Sequence, residues 1–150
     1  MPLLHDEEPR PARRQLKFRQ LPGPYAVVRL QPEVSIPEWA QKGDFTSITR
    51  SQDELSIVCP AESVPADQHS PHRWTCLKLE GPFPFSLTGV LLSFIQPLSD
   101  NGIPIFAIST YDTDYVLIQE EFAGKAITAL QQAGHDLCNG DESGPNSGNT

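Results

Sequence analysis

From Trp74 onward the apolar positions fall into a regular succession of strands and helices. Trp74–Leu79 sets Trp74, Cys76 and Lys78 against Thr75, Leu77 and Leu79, which predicts a strand buried on at least one face. Residues 81–86 are too rich in proline for a regular element. From Thr88, the positions Val90, Leu91, Phe94, Ile95 and Leu98 form the stripe of a helix packed on a sheet. Ser86 or Thr88 is placed to cap its start, Asn101-Gly102 to stop it, and Pro97 to kink its last turns or end them early. Residues 103–110 are apolar on both faces and predict a central strand, with Pro104 tolerated only at its beginning. After a short turn at 111–113 comes a strand over residues 114–119. A second helix over 121–133 puts Phe122, Ala126, Ile127, Leu130 and Ala133 on one side, Gly134 ends it, and residues 135–138 suit a short last strand. The resulting order is β-α-β-β-α-β, an antiparallel sheet with both helices on one face.

The preceding half is strand-rich and poor in helix. Residues 16–21 alternate, the turn at 21–24 carries Pro22, Gly23 and Pro24, and Tyr25–Leu30 is a Val-rich strand. Pro32 and Pro37 restrict residues 33–42 to a short helix or an irregular turn. Two strands follow at 45–50 and 55–59, joined as a hairpin by residues 51–54.

This pattern divides the chain into a leader (1–15), a first module (16–64), a polar linker (65–72), a second module (73–138) and a tail (139–150). The leader and tail are polar, with little to bury, and read as disordered. Residues 20–138 hold fourteen acidic against six basic side chains, so the body carries the net charge of −8. The five bases between Arg10 and Arg19 lie in the Pro-rich leader and just after it and read as a solvated tail, so a nucleic-acid partner is not expected. Three cysteines without metal-like spacing suggest reduced thiols inside a cell. With no signal-like stretch and no apolar run of about 20 residues, the expectation is a soluble, cytoplasmic protein with no membrane partner.

The second half resembles the ferredoxin-like ACT domains, and more closely the tandem-ACT cytosolic arginine-sensor family, CASTOR, with its shorter microbial relatives. The likeness covers about residues 16–134. It is carried by Phe45-Thr46-Ser47-Ile48-Thr49 with residues 53–58, by Leu87-Thr88-Gly89-Val90-Leu91, by Ile95-Gln96-Pro97-Leu98, and above all by residues 108–118, Ile-Ser-Thr-Tyr-Asp-Thr-Asp-Tyr-Val-Leu-Ile. The fold class it implies is α+β, with two ferredoxin-like (βαββαβ) ACT modules in tandem, the first degenerate and strand-rich. The function it implies is a regulatory sensor, not an enzyme, that binds an amino acid or related metabolite without a cofactor. Partners would be a second copy of the chain, supplying the other half of a four-module assembly, or a regulatory protein. The alternative is an interaction scaffold that keeps the fold and has lost its ligand.

The family's ligand contacts map onto Phe85, Ser86, Leu87, Thr88 and Gly89, onto Pro104 and Ile105, and onto Thr110 and Asp114. The amides around 86–89 would open a helix and hold a carboxylate. Asp114 would pair with an α-ammonium, with the Thr110 hydroxyl as a secondary contact. Ser86-Leu87 stand where the sensors have adjacent acids, and Pro104 where they have serine, so the implied ligand is an amino acid in general more than arginine.

Other chemistry finds less support. Asp112-x-Asp114 has the form of a carboxylate pair but reads as hairpin turn formers, with no histidine beside it. His69-x-x-His72 lies in the Pro-rich linker without ligand-like spacing to Cys59 or Cys76. Ser86 lacks the flanking glycines of a nucleophile elbow. Phe83, Phe85 and Trp39 are expected to cover the open face of the sheet, or else to mark an interface.

Overall fold

The structure, a computed structural model, describes residues 14–84 and 88–138. Phe85, Ser86 and Leu87 therefore lie outside the described residues, as do most of the leader and the tail. The elements are β1 (Lys17–Gln20), β2 (Tyr25–Leu30), β3 (Ser47–Arg50), β4 (Leu55–Pro60), β5 (Trp74–Leu79), α1 (Val90–Asp100), β6 (Phe106–Ser109), β7 (Asp114–Gln119), α2 (Ala123–Gln132) and β8 (Asp136–Leu137).

The second module is ferredoxin-like, with one change. β7 lies between β5 and β6, antiparallel to both, as the split βαβ arrangement requires. In a four-stranded module the last strand would then lie beside the first. Here β1 occupies that place: Phe18 pairs with Leu79 of β5 on one side and with Leu137 of β8, in parallel, on the other. Leu16 and Phe18 consequently belong to the second module's core. They pack with Leu77, Leu79, Val116 and Ile118 beneath Phe94 and Leu98 of α1 and Ala126 and Leu130 of α2. Phe18 and Phe94 meet edge to face at 5.2 Å.

The first module is the strand-rich one, with β4 between β2 and β3, antiparallel to both. A single 3-10 turn, Glu38–Gln41, stands where a helix would cross. Ala40 of that turn and Val64 pack over Ala26, Val28, Leu55, Ile57 and Cys59. The two sheets join where Tyr25 pairs with Trp74.

Their remaining faces cover each other. Tyr25, Phe45 and Val58 of the first module pack with Cys76 and Leu117 of the second, and the Phe45 and Tyr115 rings stack at 3.8 Å. The second module's open face is therefore closed by the first module. The aromatics expected there lie elsewhere: Trp39 packs on the first module's own cluster and Phe83 on the helical side of the second. A small module has too few aromatics to cap its own sheet, and a neighbouring sheet supplies more apolar area.

Four local expectations are corrected. Residues 103–110 do not form a central strand: β6 spans four residues and pairs only with β7 among the described residues. Pro104 lacks an N–H for the ladder, and Ile103 and Ile105 are drawn into the α1 side of the core. No side chain among the described residues caps α1; its N-cap is Gly89, at φ 80°, a left-handed conformation that glycine adopts without steric cost. The second helix opens with a 3-10 turn, Glu120–Phe122, before α2.

Pro97 neither ends α1 nor leaves its partner stranded. A proline at that position removes the N–H that would bond the Ser93 carbonyl. That carbonyl instead accepts from His135 Nε2 at 3.0 Å, while His135 Nδ1 accepts from the Leu16 N–H at 3.0 Å. The two partners fix the tautomer, with the proton on Nε2. One buried imidazole thus ties the β1 segment to α1 and to the end of α2.

Candidate ligand-binding cleft

The hairpin between β6 and β7 is built by its own threonines. The Thr110 N–H donates to the Thr113 carbonyl at 2.8 Å, and the Thr110 hydroxyl donates to the same oxygen at 3.0 Å. The Thr113 hydroxyl reaches across to the Leu79 carbonyl at 2.8 Å and pins the turn to β5. The Phe83 N–H donates to the Asp112 carbonyl at 2.9 Å, so the loop after β5 lies against the same turn.

This docking leaves a cleft of about 210 Å³, with Phe83 and Pro84 on one wall, residues 109–114 on the other and Val90, the first residue of α1, at its end. Asp114 lines it, and its carboxylate accepts a hydrogen bond from the Ser109 hydroxyl. An acidic group and the start of a helix thus share one crevice, which suits a ligand with both an ammonium and an anionic end.

The other expected residues are placed as follows. Thr110 lines the cleft, but its hydroxyl is engaged in closing the turn. The Thr88 carbonyl accepts from Arg14 Nε at 3.2 Å, and Gly89 opens α1. Pro104 and Ile105 are not in this cleft; they line another, of about 460 Å³, beside Ile95, Ser99 and Gly102 toward the other end of α1. Among the described residues no cluster of three or more His, Cys, Asp or Glu could hold a metal ion. No described helix is long and apolar enough to cross a membrane.

The thiols are poorly suited to nucleophilic work. Burial pushes Cys59 up from 9.0 to about 11 and Cys76 to about 12. Both are therefore neutral, weakly nucleophilic groups at physiological pH.

A third cavity, of about 430 Å³, went unread in the sequence. It lies between the first module and the connector, with Pro24, Ala26, Glu62, Val64, His69 and Arg73 among its lining. His69, Ser70 and His72 of its lining sit in the segment 65–72, whose composition signals only a linker. The available signal was the clustering of His69, His72 and Arg73 just before β5.

Comparison with known proteins follows the same division. Residues 69–132 match the family model of the ACT domain, and residues 23–67 match a separate N-terminal-domain model. The human protein CASTOR3P is 30% identical over 87 residues, 49% of this chain and 53% of that protein, so the chain spans about half the length of this curated relative. The crystal structure of protein Atu0741 from Agrobacterium tumefaciens is 43% identical and matches with a TM-score of 0.78 over 88% of this chain and 98% of its own. Two more distant structures share the fold. Protein VC0802 of Vibrio cholerae is 21% identical, with a TM-score of 0.65 over 79% of this chain and 88% of its own. The allosteric aspartate kinase of Clostridium acetobutylicum is 12% identical, with a TM-score of 0.56 over 78% of this chain and 33% of its own.

Proposed function

Because this chain belongs to the CASTOR-like family of ACT-domain proteins, we propose that it is a non-catalytic regulator that binds a free amino acid or a close metabolite in the hairpin cleft. The observation that carries this reading is the meeting of the Asp114 carboxylate and the start of α1 in one crevice. The ligand's carboxylate is held by amides of the first helical turn, where the helix dipole favours an anion. Its ammonium pairs with Asp114. Thr110 shapes the turn and does not itself contact the ligand.

Absence of catalysis fits the chemistry present. The Cys59 and Cys76 thiols are buried and held protonated, and among the described residues no histidine lines the cleft beside Asp112 or Asp114. A homodimer is part of the proposal. Tyr111, 79% exposed at the hairpin tip, and Leu92, 60% exposed on the early part of α1, offer apolar area that a second copy would cover.

A screen of thermal stability against the twenty amino acids and common nucleotides tests the reading. A true ligand stabilises by about 2.7 kcal/mol at a hundred times its dissociation constant, and Asp114→Asn removes that shift. The reading is defeated if no compound gives a shift that Asp114→Asn removes. The size of the cleft favours a second reading, because 210 Å³ lies below the range of about 300–1,000 Å³ usual for small-molecule pockets. An interaction scaffold without a ligand would give no shift and a stable protein partner.

A further inference from the structure

The cavity between the first module and the connector has the size and the charge pattern that the hairpin cleft has only in part. Its volume, about 430 Å³, lies within the usual range for small-molecule sites. Its floor is apolar: Ala26 and Val64 are each 5% exposed, and Pro24 lies beside them. Its wall on the connector side is held in place by the His69 ring, whose Nε2 lies 3.0 Å from the Val64 carbonyl.

Two opposite charges line this space without neutralising each other. Glu62 sits on the 3-10 turn after β4, and Arg73 immediately precedes β5. The ion pair of Arg73 is with Glu120, at 3.6 Å, with both side chains about half exposed. A loose, solvated pair of this kind is worth well under about 1 kcal/mol, so the guanidinium can turn to a better-placed anion. The bidentate geometry of a carboxylate is that anion. A cavity with a guanidinium, a separate carboxylate and an apolar floor complements a molecule with a carboxylate, an ammonium and a short hydrocarbon chain.

We propose that this cavity is a binding site for a free aliphatic α-amino acid, with Arg73 on its carboxylate, Glu62 on its ammonium, and Pro24, Ala26 and Val64 against its side chain. The proposal is separate from the hairpin cleft and stands whether or not that cleft binds anything. The site spans two parts of the chain, because its floor belongs to the first module and Arg73 to the start of the second. Occupancy therefore clamps the connector onto the first module.

Isothermal titration of the full chain with L-leucine, L-isoleucine and L-valine provides the test, with 4-methylpentanoate and 3-methylbutylamine as leucine analogues lacking the amine and the carboxylate. At least one amino acid is expected to bind, and the leucine analogues about tenfold or more weakly than leucine if leucine is the one bound. Arg73→Gln and Glu62→Gln, both at exposed positions, should each weaken binding of that amino acid by about tenfold or more while the unliganded melting temperature stays unchanged. The binding that Arg73→Gln and Glu62→Gln weaken should persist in Asp114→Asn, which separates this site from the hairpin cleft. The proposal is overturned if none of the three amino acids binds at millimolar concentration, if a leucine analogue matches bound leucine, or if only Asp114→Asn abolishes binding.

Discussion

The two modules use the same strand order and solve the problem of burial in opposite ways. The second lays two helices across its sheet, so Phe94, Leu98, Ala126 and Leu130 bury one whole face. The first has a 3-10 turn there and covers its face with little more than Ala40, Trp39 and Val64. The better-built module is nevertheless the less self-sufficient. It takes β1 from the far end of the chain between its first and last strands, and it takes Tyr25, Phe45 and Val58 as the cover for its other face. The degenerate module thus closes the open face of the helical one. That arrangement predicts that the two sequence modules unfold as one cooperative unit.

Phe18 provides the most forceful way to break that picture. It is fully buried, lies in the segment expected to belong to the first module, and packs only in the second module's core. Phe18→Ala should cost about 3–5 kcal/mol, read as a lower urea midpoint, and circular dichroism and tryptophan fluorescence should move together. Two separate transitions, with only one displaced, would mean that the modules fold independently.

Much of this organisation was legible in the sequence, for identifiable reasons. The second module's elements follow from period: Val90, Leu91, Phe94, Ile95 and Leu98, at offsets 0, 1, 4, 5 and 8, can share a face only in a helix, and Leu77 and Leu79 only in a strand. Partner choice carries no such signal. Four residues, Lys-Phe-Arg-Gln, state that Phe18 faces a core without stating which core. Pro97 does not end the helix early because its cost depends on His135, thirty-eight residues away, which recaptures the freed carbonyl. Of the candidate site, Thr110 and Asp114 were readable as one turn and do share a cleft. Pro104 and Ile105 were joined to them by resemblance alone, and packing against α1 sends them elsewhere.

Alkaline pH probes the shared face through its titratable groups. Cys76 and Tyr25 lie between the modules, and burial pushes each up to about 12, Cys76 from 9.0 and Tyr25 from 10.0. In both cases the folded state holds its proton after the unfolded chain has released it. The stabilisation is therefore complete below about pH 9, and it is lost as pH rises from there through about 12. For fully buried Cys76 the gap corresponds to about 4 kcal/mol at the top of that window. Unfolding free energy measured from pH 8 to 11 should fall, and Cys76→Ala should flatten the fall even though it starts from a lower value. An equally steep decline in that variant would place the alkaline sensitivity outside the shared face.

The smallest effect is also the most direct measure of coupling between the modules. Phe45 precedes β3 and Tyr115 lies on β7, so their stacked contact at 3.8 Å, with ring planes 12° apart, crosses from one module to the other. Each single truncation removes buried area as well as the stack, and so neither alone isolates the contact. A double-mutant cycle of Phe45→Ala and Tyr115→Ala removes the area terms, leaving a coupling of about 0.5–1.5 kcal/mol. Coupling of that size, measured by urea unfolding, shows that the rings of the two modules are in contact in solution as one core. A cycle that closes to within about 0.3 kcal/mol would mean that the modules merely lie side by side, their stability arising separately on either side of the shared face.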